Sequence, residues 1–185
     1  MLSAMRLTEA AAPRIVWLFV GGGASMQSLQ REVERQGLAP VLFKPYQPPD
    51  RLAESLSVAD VHLISLRPAL EGLIVPSKVY GIAAAGRAAI FIGDGDGEVA
   101  RMLTRDESGV SVEEGDGEAL AAAIKALATD PGRCRALGEN ARQAFERAYD
   151  KPLAMQRWDA VLREVAGEPA VSPDGPGACE TTGRP

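Results

Sequence analysis

The stretch Ser65–Gly86 decides the fold of this chain: Ser-Leu-Arg-Pro-Ala-Leu-Glu-Gly-Leu-Ile-Val-Pro-Ser-Lys-Val-Tyr-Gly-Ile-Ala-Ala-Ala-Gly. It lies between two short apolar runs that contain β-branched residues, 61–65 and 88–92. Such runs are typical of parallel strands that are buried on both faces. The pattern therefore predicts a strand, a loop at the carboxyl end of that strand, and a helix that leads to the next strand.

The start of this helix carries unusual chemistry. Pro76 suits the first position of a helix, which makes Val75 the N-cap, and valine is among the poorest capping residues. Lys78 then lies in the first turn, where the helix dipole favours anions. A bound anion such as a diphosphate would accept hydrogen bonds from the free amides of Ser77 and Lys78 and pair with the ammonium group. Alternatively, Ser77 caps the helix itself and Lys78 is only solvated.

An acidic residue, Glu71, precedes Gly72 in the same loop. Open α/β sheets bind their ligands at the carboxyl ends of parallel strands. A carboxylate at this place can accept hydrogen bonds from sugar hydroxyls, while the amides of Gly72 and Leu73 face the same space. The alternative interpretation is an ordinary acid on a surface loop.

Taken together, these motifs resemble a known family. The order of strand, Glu-Gly-Leu at 71–73, Pro-Ser-Lys at 76–78, Ala-Ala-Gly at 84–86 and strand is similar to the donor-binding half of GT-B glycosyltransferases. The resemblance is to the family-4 retaining group, particularly its members that build bacterial surface polysaccharides. It covers roughly residues 3 to 165.

The resemblance implies a site and a reaction. Glu71 would contact the hydroxyls of the donor sugar, and the amides of Gly72 and Leu73 would hold the sugar and its diphosphate. The implied reaction transfers a sugar from a nucleotide-sugar to a polysaccharide or lipid-linked acceptor with retention, without a metal ion or another cofactor. Ser77, Lys78 and the helix amides would stabilise the departing diphosphate electrostatically.

One position departs from the family pattern. The second family glutamate, which grips the ribose, falls at Gly81, so this chain lacks the usual ribose contact.

A second glycine-rich turn lies earlier in the chain. Gly22 and Gly23 follow a strand predicted over 14–20, and glycines at such a turn let the backbone approach a ligand. Met26 takes the third glycine position of a dinucleotide fingerprint, which argues against NAD. In the family, the loop after the next strand lies near the nucleotide base, so Tyr46 could stack on that base. Alternatively, Tyr46 packs under its proline-rich turn.

The rest of the pattern predicts a Rossmann-like α/β domain over residues 1–166, with a parallel sheet flanked by helices, and a disordered tail over 167–185. Asp116 and Asp130 are predicted to cap two successive helices. Further elements are predicted as helices near 4–11, 26–35, 50–58, 98–103 and 155–165, and as strands near 41–43 and 109–112.

The resemblance also implies that the chain starts after the first strand of the family's domain. A sheet without that central strand leaves backbone groups unpaired unless a partner supplies a strand. The sequence therefore predicts either a truncated, poorly stable product or one half of a split enzyme. Such a chain would be inactive without a separate acceptor-binding domain or subunit.

The composition limits the partners, metal sites and cellular compartment that are expected for this chain. A net charge of −5 argues against a nucleic-acid partner. The only histidine, His62, lies within a predicted strand and is interpreted as structural, which leaves no histidine cluster for a metal. Cys134 and Cys179 form no disulfide framework, so a reducing cytoplasmic setting is expected. No run reaches the length of a membrane span. A peripheral position at the inner membrane face stays open.

Two other function classes are compatible with the pattern, because similar folds carry different chemistries. One is a sugar-nucleotide epimerase of the same fold, and the other is a noncatalytic nucleotide-sugar-binding module. The base, the sugar and the acceptor are not specified by the sequence.

Overall fold

The computed structural model describes residues 1–11 and 14–167. These residues form two units, one covering Met1–Arg147 and a second that begins at Ala148. The strands are β1 (Trp17–Val20), β2 (Val41–Lys44), β3 (Val61–Ser65), β4 (Ala88–Ile92) and β5 (Gly109–Val112). The helices are α1 (Leu2–Thr8), α2 (Ala24–Gln36), α3 (Leu52–Ser57), α4 (Lys78–Ala84), α5 (Glu98–Arg105), α6 (Gly117–Thr129), α7 (Pro131–Ala144) and α8 (Lys151–Ala166).

All strand pairs are parallel, and the strands alternate with helices along the chain. The predicted α/β class, with parallel strands flanked by helices, is therefore confirmed. The strands form two sheets, of order β1-β2 and β3-β4-β5, and no ladder joins the two sheets within the described residues.

The most deeply buried strand is β4. Its residues Ala88, Ala89, Ile90 and Phe91 are at most 2% exposed, because the strand pairs on both edges and contacts apolar side chains on both faces. Ile90 belongs to a core that includes residues of α1, α2 and α6. Phe91 points to the opposite face, since side chains alternate along a strand.

A buried hydroxyl ties α1 to β1. Thr8 Oγ1 lies 2.9 Å from the carbonyl oxygen of Ala4 and accepts a 3.0 Å hydrogen bond from the indole of Trp17. Both partners are buried, so this polar group is satisfied inside the core.

Both predicted acidic caps are present. The side chain of Asp116 accepts a 2.8 Å hydrogen bond from the Ala119 amide, and that of Asp130 accepts a 2.9 Å bond from the Arg133 amide. The first helix covers 2–8 instead of 4–11, and the last, for which the apolar residues from 155 to 165 were the signal, covers 151–166. Apart from Gly167, which ends α8, the predicted tail lies outside the described residues.

No helix in the described ranges has the length and hydrophobicity needed to cross a membrane.

The histidine interpreted as structural is half-buried in β3. His62 Nε2 lies 2.8 Å from the carbonyl oxygen of Leu56, which can only accept, so this nitrogen carries the proton. Burial lowers the pKa of His62, and the charges of Arg87 and Lys78 act in the same direction, whereas the Leu56 carbonyl opposes them. His62 is therefore held neutral in the folded chain at neutral pH.

This lowered pKa predicts a loss of stability in mild acid. The unfolded chain takes up a proton near the ordinary histidine pKa of 6.5, whereas the folded chain does so only at lower pH. The free energy of unfolding should therefore fall as the pH drops below about 6.5, by at most about 1.4 kcal/mol per pH unit. Urea unfolding of the parent and of His62→Gln between pH 7.5 and 5.5 checks this. Equal pH slopes for the two proteins would contradict it.

A second prediction concerns the glycine-rich turn after β4. A Cβ at Gly93 would lie 2.7 Å from the backbone oxygen of Leu66 and 2.6 Å from the ring of the buried Phe91, whereas one at Gly95 would meet only the flexible carboxylate of Glu113. Gly93→Ala should therefore lower the free energy of unfolding by about 1–3 kcal/mol. Gly95→Ala is the matched control and should change it far less. Equal losses in urea unfolding would show that Gly93 is not tightly packed.

Candidate functional site

The candidate site lies at the carboxyl ends of β3 and β4. Ser65 pairs with Ile92 at the end of the ladder, and the amide of Leu66 donates a 3.1 Å hydrogen bond to the Ile92 carbonyl. The loop 66–77 and the glycine-rich turn 93–97 therefore leave the sheet side by side. This register brings together two segments that are far apart in sequence.

Glu71 reaches from the first segment to the second. Its Oε2 lies 3.4 Å from the backbone nitrogen of Glu98, the first residue of α5, which is a long hydrogen bond. Its Oε1 is screened from solvent and has no hydrogen-bond partner in the described structure. One carboxylate oxygen is thus weakly satisfied and the other is not satisfied at all, which is costly for a buried polar atom.

Gly97 makes room for this carboxylate. A Cβ at Gly97 would collide with the carboxylate of Glu71, so no other residue fits there while Glu71 keeps its position. The sequence predicts Glu71 in an open loop that faces a ligand and indicates no contact with Gly97. The only signal for Gly97 was the run of alternating glycines and aspartates, which is also typical of an ordinary turn.

The start of α4 differs from the prediction. The helix begins at Lys78 with Ser77 at the N-cap, so the prediction that Val75 is the N-cap is wrong. Pro76 disfavours the helical conformation in Val75, the residue before it. The chain instead makes a tight turn before the helix, in which the amide of Val79 donates a hydrogen bond to the carbonyl of Pro76.

The serine at the N-cap does not close this turn. Ser77 has helical backbone angles (φ −59°, ψ −20°) instead of the extended ones of a capping residue, and its hydroxyl makes no capping bond. The amides of Ser77 and Lys78 have no recorded acceptor within the described chain. Two backbone donors and an exposed ammonium group are therefore available at one point.

The Glu-Gly-Leu motif makes a sharp turn. Gly72 has φ +76°, and its amide has no recorded acceptor in the described part. The amide of Leu73 donates a 3.1 Å hydrogen bond to the carbonyl of Leu70, so in this conformation it is not free for a ligand. The side chains that follow are unusually exposed for apolar residues: Leu73 is 74% exposed and Ile74 is 52% exposed.

A cavity of about 460 Å³ opens beside this loop. Its walls are mostly apolar, but Arg67 and Glu114 bring one charge of each sign to it, and neither side chain has a recorded ion pair among the described residues. An apolar wall with a few polar groups is typical of a small-molecule site. The complete lining consists of Ser65, Leu66, Arg67, Leu70, Ile74, Pro76, Ile92 and Glu114.

The glycine turn after β1 forms a separate contact with Tyr46. The Tyr46 ring lies over Gly21 and Gly22, at 3.5 Å from the position of a Cβ on either, and the residue is 77% exposed. Gly23, with φ +103°, is the N-cap of α2 and has no side chain to cap it. One face of the ring thus covers the glycines and the residue remains open to solvent.

The structure brings the predicted residues together in two groups. Gly22, Gly23 and Tyr46 lie at the ends of β1 and β2, and no contact between them and the loop after β3 is recorded for the described residues. At the position of the missing family glutamate, a Cβ on Gly81 would lie 3.3 Å from the Leu56 side chain. This position therefore faces α3, and no carboxylate is present there.

The fold is that of a parallel α/β domain, and comparison with known proteins identifies the family. Residues 1–144 match the family model described as glycosyl transferases group 1, and the chain belongs to this family. Among curated proteins, it is 27% identical over 145 residues to WcaI of Escherichia coli (strain K12), provisionally named a colanic acid biosynthesis glycosyl transferase. It is 24% identical over 167 residues to WbjE of Pseudomonas aeruginosa, also provisionally named a glycosyltransferase.

These curated relatives are longer than this chain. The match covers 78% of the chain and 35% of WcaI, and 90% of the chain and 41% of WbjE.

Similar solved structures are GT-B glycosyltransferases. Sucrose-phosphate synthase of Thermosynechococcus elongatus superposes with a TM-score of 0.72 at 24% identity, covering 90% of this chain and 42% of that one. HepE of Anabaena, solved in complex with UDP-glucose, gives a TM-score of 0.71 at 15% identity, covering 89% of this chain and 45% of that one. At these identities the likeness shows the fold.

The weak satisfaction of Glu71 predicts that this residue adds little to stability. Glu71→Gln removes the charge beside α5 and should lower the free energy of unfolding by less than about 1 kcal/mol, because its one hydrogen bond is long. Asp116→Ala removes a short capping bond in α6 and should cost about 1 kcal/mol or more. Urea unfolding compares the two. If Glu71→Gln lowers the free energy of unfolding clearly more than Asp116→Ala does, Glu71 is a structural cap of α5.

Proposed function

We propose that this chain is the donor-binding part of a retaining family-4 glycosyltransferase and that the loop 66–78 holds the nucleotide-sugar. Glu71 carries the proposal, because it has a carboxylate oxygen without a recorded partner beside the Gly72 amide, which has no recorded acceptor either. A sugar hydroxyl is a donor that this oxygen lacks. HepE, which has a similar fold, was solved with UDP and with UDP-glucose, which supports a nucleotide-sugar as the ligand.

In this proposal the diphosphate lies at the start of α4. The amides of Ser77 and Lys78 donate to its oxygens, and the Lys78 ammonium offsets its charge. The amide of Gly72 holds the sugar side of the ligand. The amide of Leu73 can take part only after it leaves the Leu70 carbonyl, so binding would open this turn.

The sugar would be turned towards Glu71. For Oε1 to reach a hydroxyl, the carboxylate must leave its screened position beside Gly97, and the missing hydrogen bond makes that position easy to leave. Tyr46 and the glycines 22 and 23 are proposed to hold the nucleotide, with the exposed Tyr46 ring stacking on the base.

The proposed reaction breaks the bond between the anomeric carbon and the diphosphate oxygen. The electron pair leaves with the diphosphate, and the acceptor oxygen bonds to the same face of the sugar, which retains its configuration. The acceptor proton passes to the departing phosphate oxygen. Lys78 and the amides stabilise the charge that grows on this leaving group, and the proposal uses no metal ion.

The acceptor side of the reaction is assigned to another part of the enzyme. Because this chain spans 35% and 41% of the length of the two curated relatives, we propose that acceptor recognition requires an acceptor-binding domain or subunit beyond the described residues. The acceptor is proposed to be a polysaccharide or a lipid-linked acceptor, and this proposal is supported by the relative WcaI, which is named for colanic acid biosynthesis. A cytoplasmic setting is proposed from the free thiol of Cys134.

The binding proposal is tested by calorimetry with UDP, GDP and ADP on the full chain. Lys78→Ala should weaken binding of the preferred nucleotide by about 1–3 kcal/mol, the range for hydrogen bonds to charged groups. Lys125→Ala removes another exposed lysine, on α6, and should leave affinity unchanged. Equal affinities for the two variants would remove Lys78 from the site, and no binding of any nucleotide would refute the donor role.

Glu71→Gln separates sugar recognition from nucleotide recognition. This variant should weaken binding of the nucleotide-sugar more than binding of the free nucleotide, because the proposed partner of Glu71 is a sugar hydroxyl.

Product analysis after incubation with a nucleotide-sugar alone checks for epimerisation. An epimerised product would show that the chain is an epimerase and not a glycosyltransferase.

A further inference from the structure

Gly97, the N-cap of α5, contacts Glu71, although the two residues lie after different strands. The three heavy atoms nearest to a Cβ built on Gly97 all belong to the Glu71 carboxylate: Oε1, then Cδ at 2.6 Å and Oε2 at 2.9 Å. The backbone of Gly97 has φ −69° and ψ 164°, an extended conformation that any residue adopts. The space beside Gly97 is therefore filled by a side chain, and no backbone strain requires a glycine there.

We call this the docked position of Glu71: its carboxylate lies against Gly97 and the amide of Glu98. Here Oε1 is screened from solvent, and Oε2 accepts the 3.4 Å hydrogen bond from the Glu98 amide. A sugar hydroxyl reaches an acceptor only through space that a water molecule can also enter. In the docked position, Oε1 is therefore closed to a sugar hydroxyl.

The docked position is only weakly stabilised. The positive end of the α5 dipole attracts the carboxylate, but its one recorded hydrogen bond is long, and Oε1 has no recorded partner in the described part of the chain. Asp94, Asp96 and Glu98 add negative charges on and just after the same turn, and Arg101 offsets one of them through a 3.1 Å ion pair with Glu98. The docked and released positions thus differ little in free energy, and a ligand that favours one of them shifts the balance.

Release requires only that the side chain of Glu71 rotates. Its backbone is held in the short turn after β3, because its amide donates a 3.0 Å hydrogen bond to the carbonyl of Pro68. The opposite wall is held as well, since the amide of Gly97 donates a 3.0 Å hydrogen bond to the carbonyl of Asp94. The carboxylate is thus the part that moves, between two backbone segments that stay in place.

We propose that Gly97 is a positioning residue that limits sugar binding: it leaves room for the docked carboxylate of Glu71, and the donor sugar binds only after this side chain has rotated away. The inference rests on the proposed function, because it takes Glu71 as the acid that meets the sugar. When only a fraction of the chains is released, the apparent dissociation constant is the intrinsic one divided by that fraction. A free nucleotide, which has no sugar hydroxyl for Glu71, does not meet this cost.

The first test removes the docked position. Gly97→Ala places a methyl group where the carboxylate of Glu71 lies, so the side chain is released in every molecule. UDP-glucose, GDP-mannose and ADP-glucose are titrated by calorimetry, and the compound that the parent binds most tightly is then compared with its free nucleotide. The dissociation constant of the nucleotide-sugar should fall about two- to tenfold, the effect of one hydrogen bond of ordinary net strength. That of the free nucleotide should stay unchanged.

Two further variants act as controls. Gly95→Ala adds a methyl group to the same turn, but its Cβ meets the carboxylate of Glu113 and not that of Glu71, so both affinities should match those of the parent. The double variant with Glu71→Ala and Gly97→Ala should bind like Glu71→Ala alone, because no carboxylate is left to displace. Circular dichroism checks that each variant is folded.

A second measurement follows the carboxylate itself. The chain is labelled with ¹³C at the glutamate side-chain carboxyls, and the Glu71 signal is assigned by its loss in Glu71→Gln. This signal should shift in Gly97→Ala, and in the parent it should shift when the nucleotide-sugar is added but not when the free nucleotide is added. A glycine with a merely structural role would not produce this difference between the two ligands.

Several results would overturn the inference. Weaker binding of the nucleotide-sugar by Gly97→Ala would show that the docked position is the one that binds the sugar, and an unchanged affinity would show that Gly97 has no influence on it. If Gly97→Ala does not fold whereas the double variant does, Glu71 is unable to leave its docked position. If neither folds, the carboxyl signal of the parent decides.

The same titrations separate this inference from the proposed function. A parent chain that binds no nucleotide-sugar refutes the donor role together with the role of Gly97. A parent chain that binds one with the same affinity as Gly97→Ala refutes the role of Gly97 alone.

Discussion

The ladder between β3 and β4 is the constraint on which the candidate site depends. It fixes Ser65 opposite Ile92, so the loop 66–77 and the turn 93–97 leave the sheet together. Only this register lets Glu71 reach the first turn of α5, 27 residues away in sequence. A shift by one residue would turn every side chain of β3 to the other face and would bury its exposed Ser65. The core position of β4 therefore fixes the geometry of the candidate site as well as stabilising the sheet.

The sequence was sufficient for elements that are specified locally. The runs 61–65, 88–92 and 109–112 are strands with the predicted bounds, because short apolar segments between turn residues have few alternatives. Asp116 and Asp130 cap their helices because the capping bond involves only the next three residues. The parallel α/β class follows from the regular alternation of such elements.

The sequence was not sufficient where distant segments meet. The position of Glu71 depends on Gly97, and nothing in the local pattern around Glu71 shows that a glycine will face it. The helix start was misplaced because Pro76 is compatible with both the first position of a helix and the tight turn before it. The separation of the strands into two sheets within the described residues is also a long-range property, which no local pattern specifies.

The candidate site and the open edges of β1 and β3 are two cases of the same physical situation. At the edges of β1 and β3 that face away from β2 and β4, backbone donors and acceptors have no recorded partners in the described chain, and at the loop, one oxygen of Glu71 and the amides of Ser77 and Lys78 have none. Folded chains satisfy nearly all of their buried polar groups, so groups that stay unpaired are available to something else. The two sets differ in chemistry. A ladder edge is complementary to another backbone, whereas a carboxylate with nearby amides and an ammonium group is complementary to hydroxyls and phosphate.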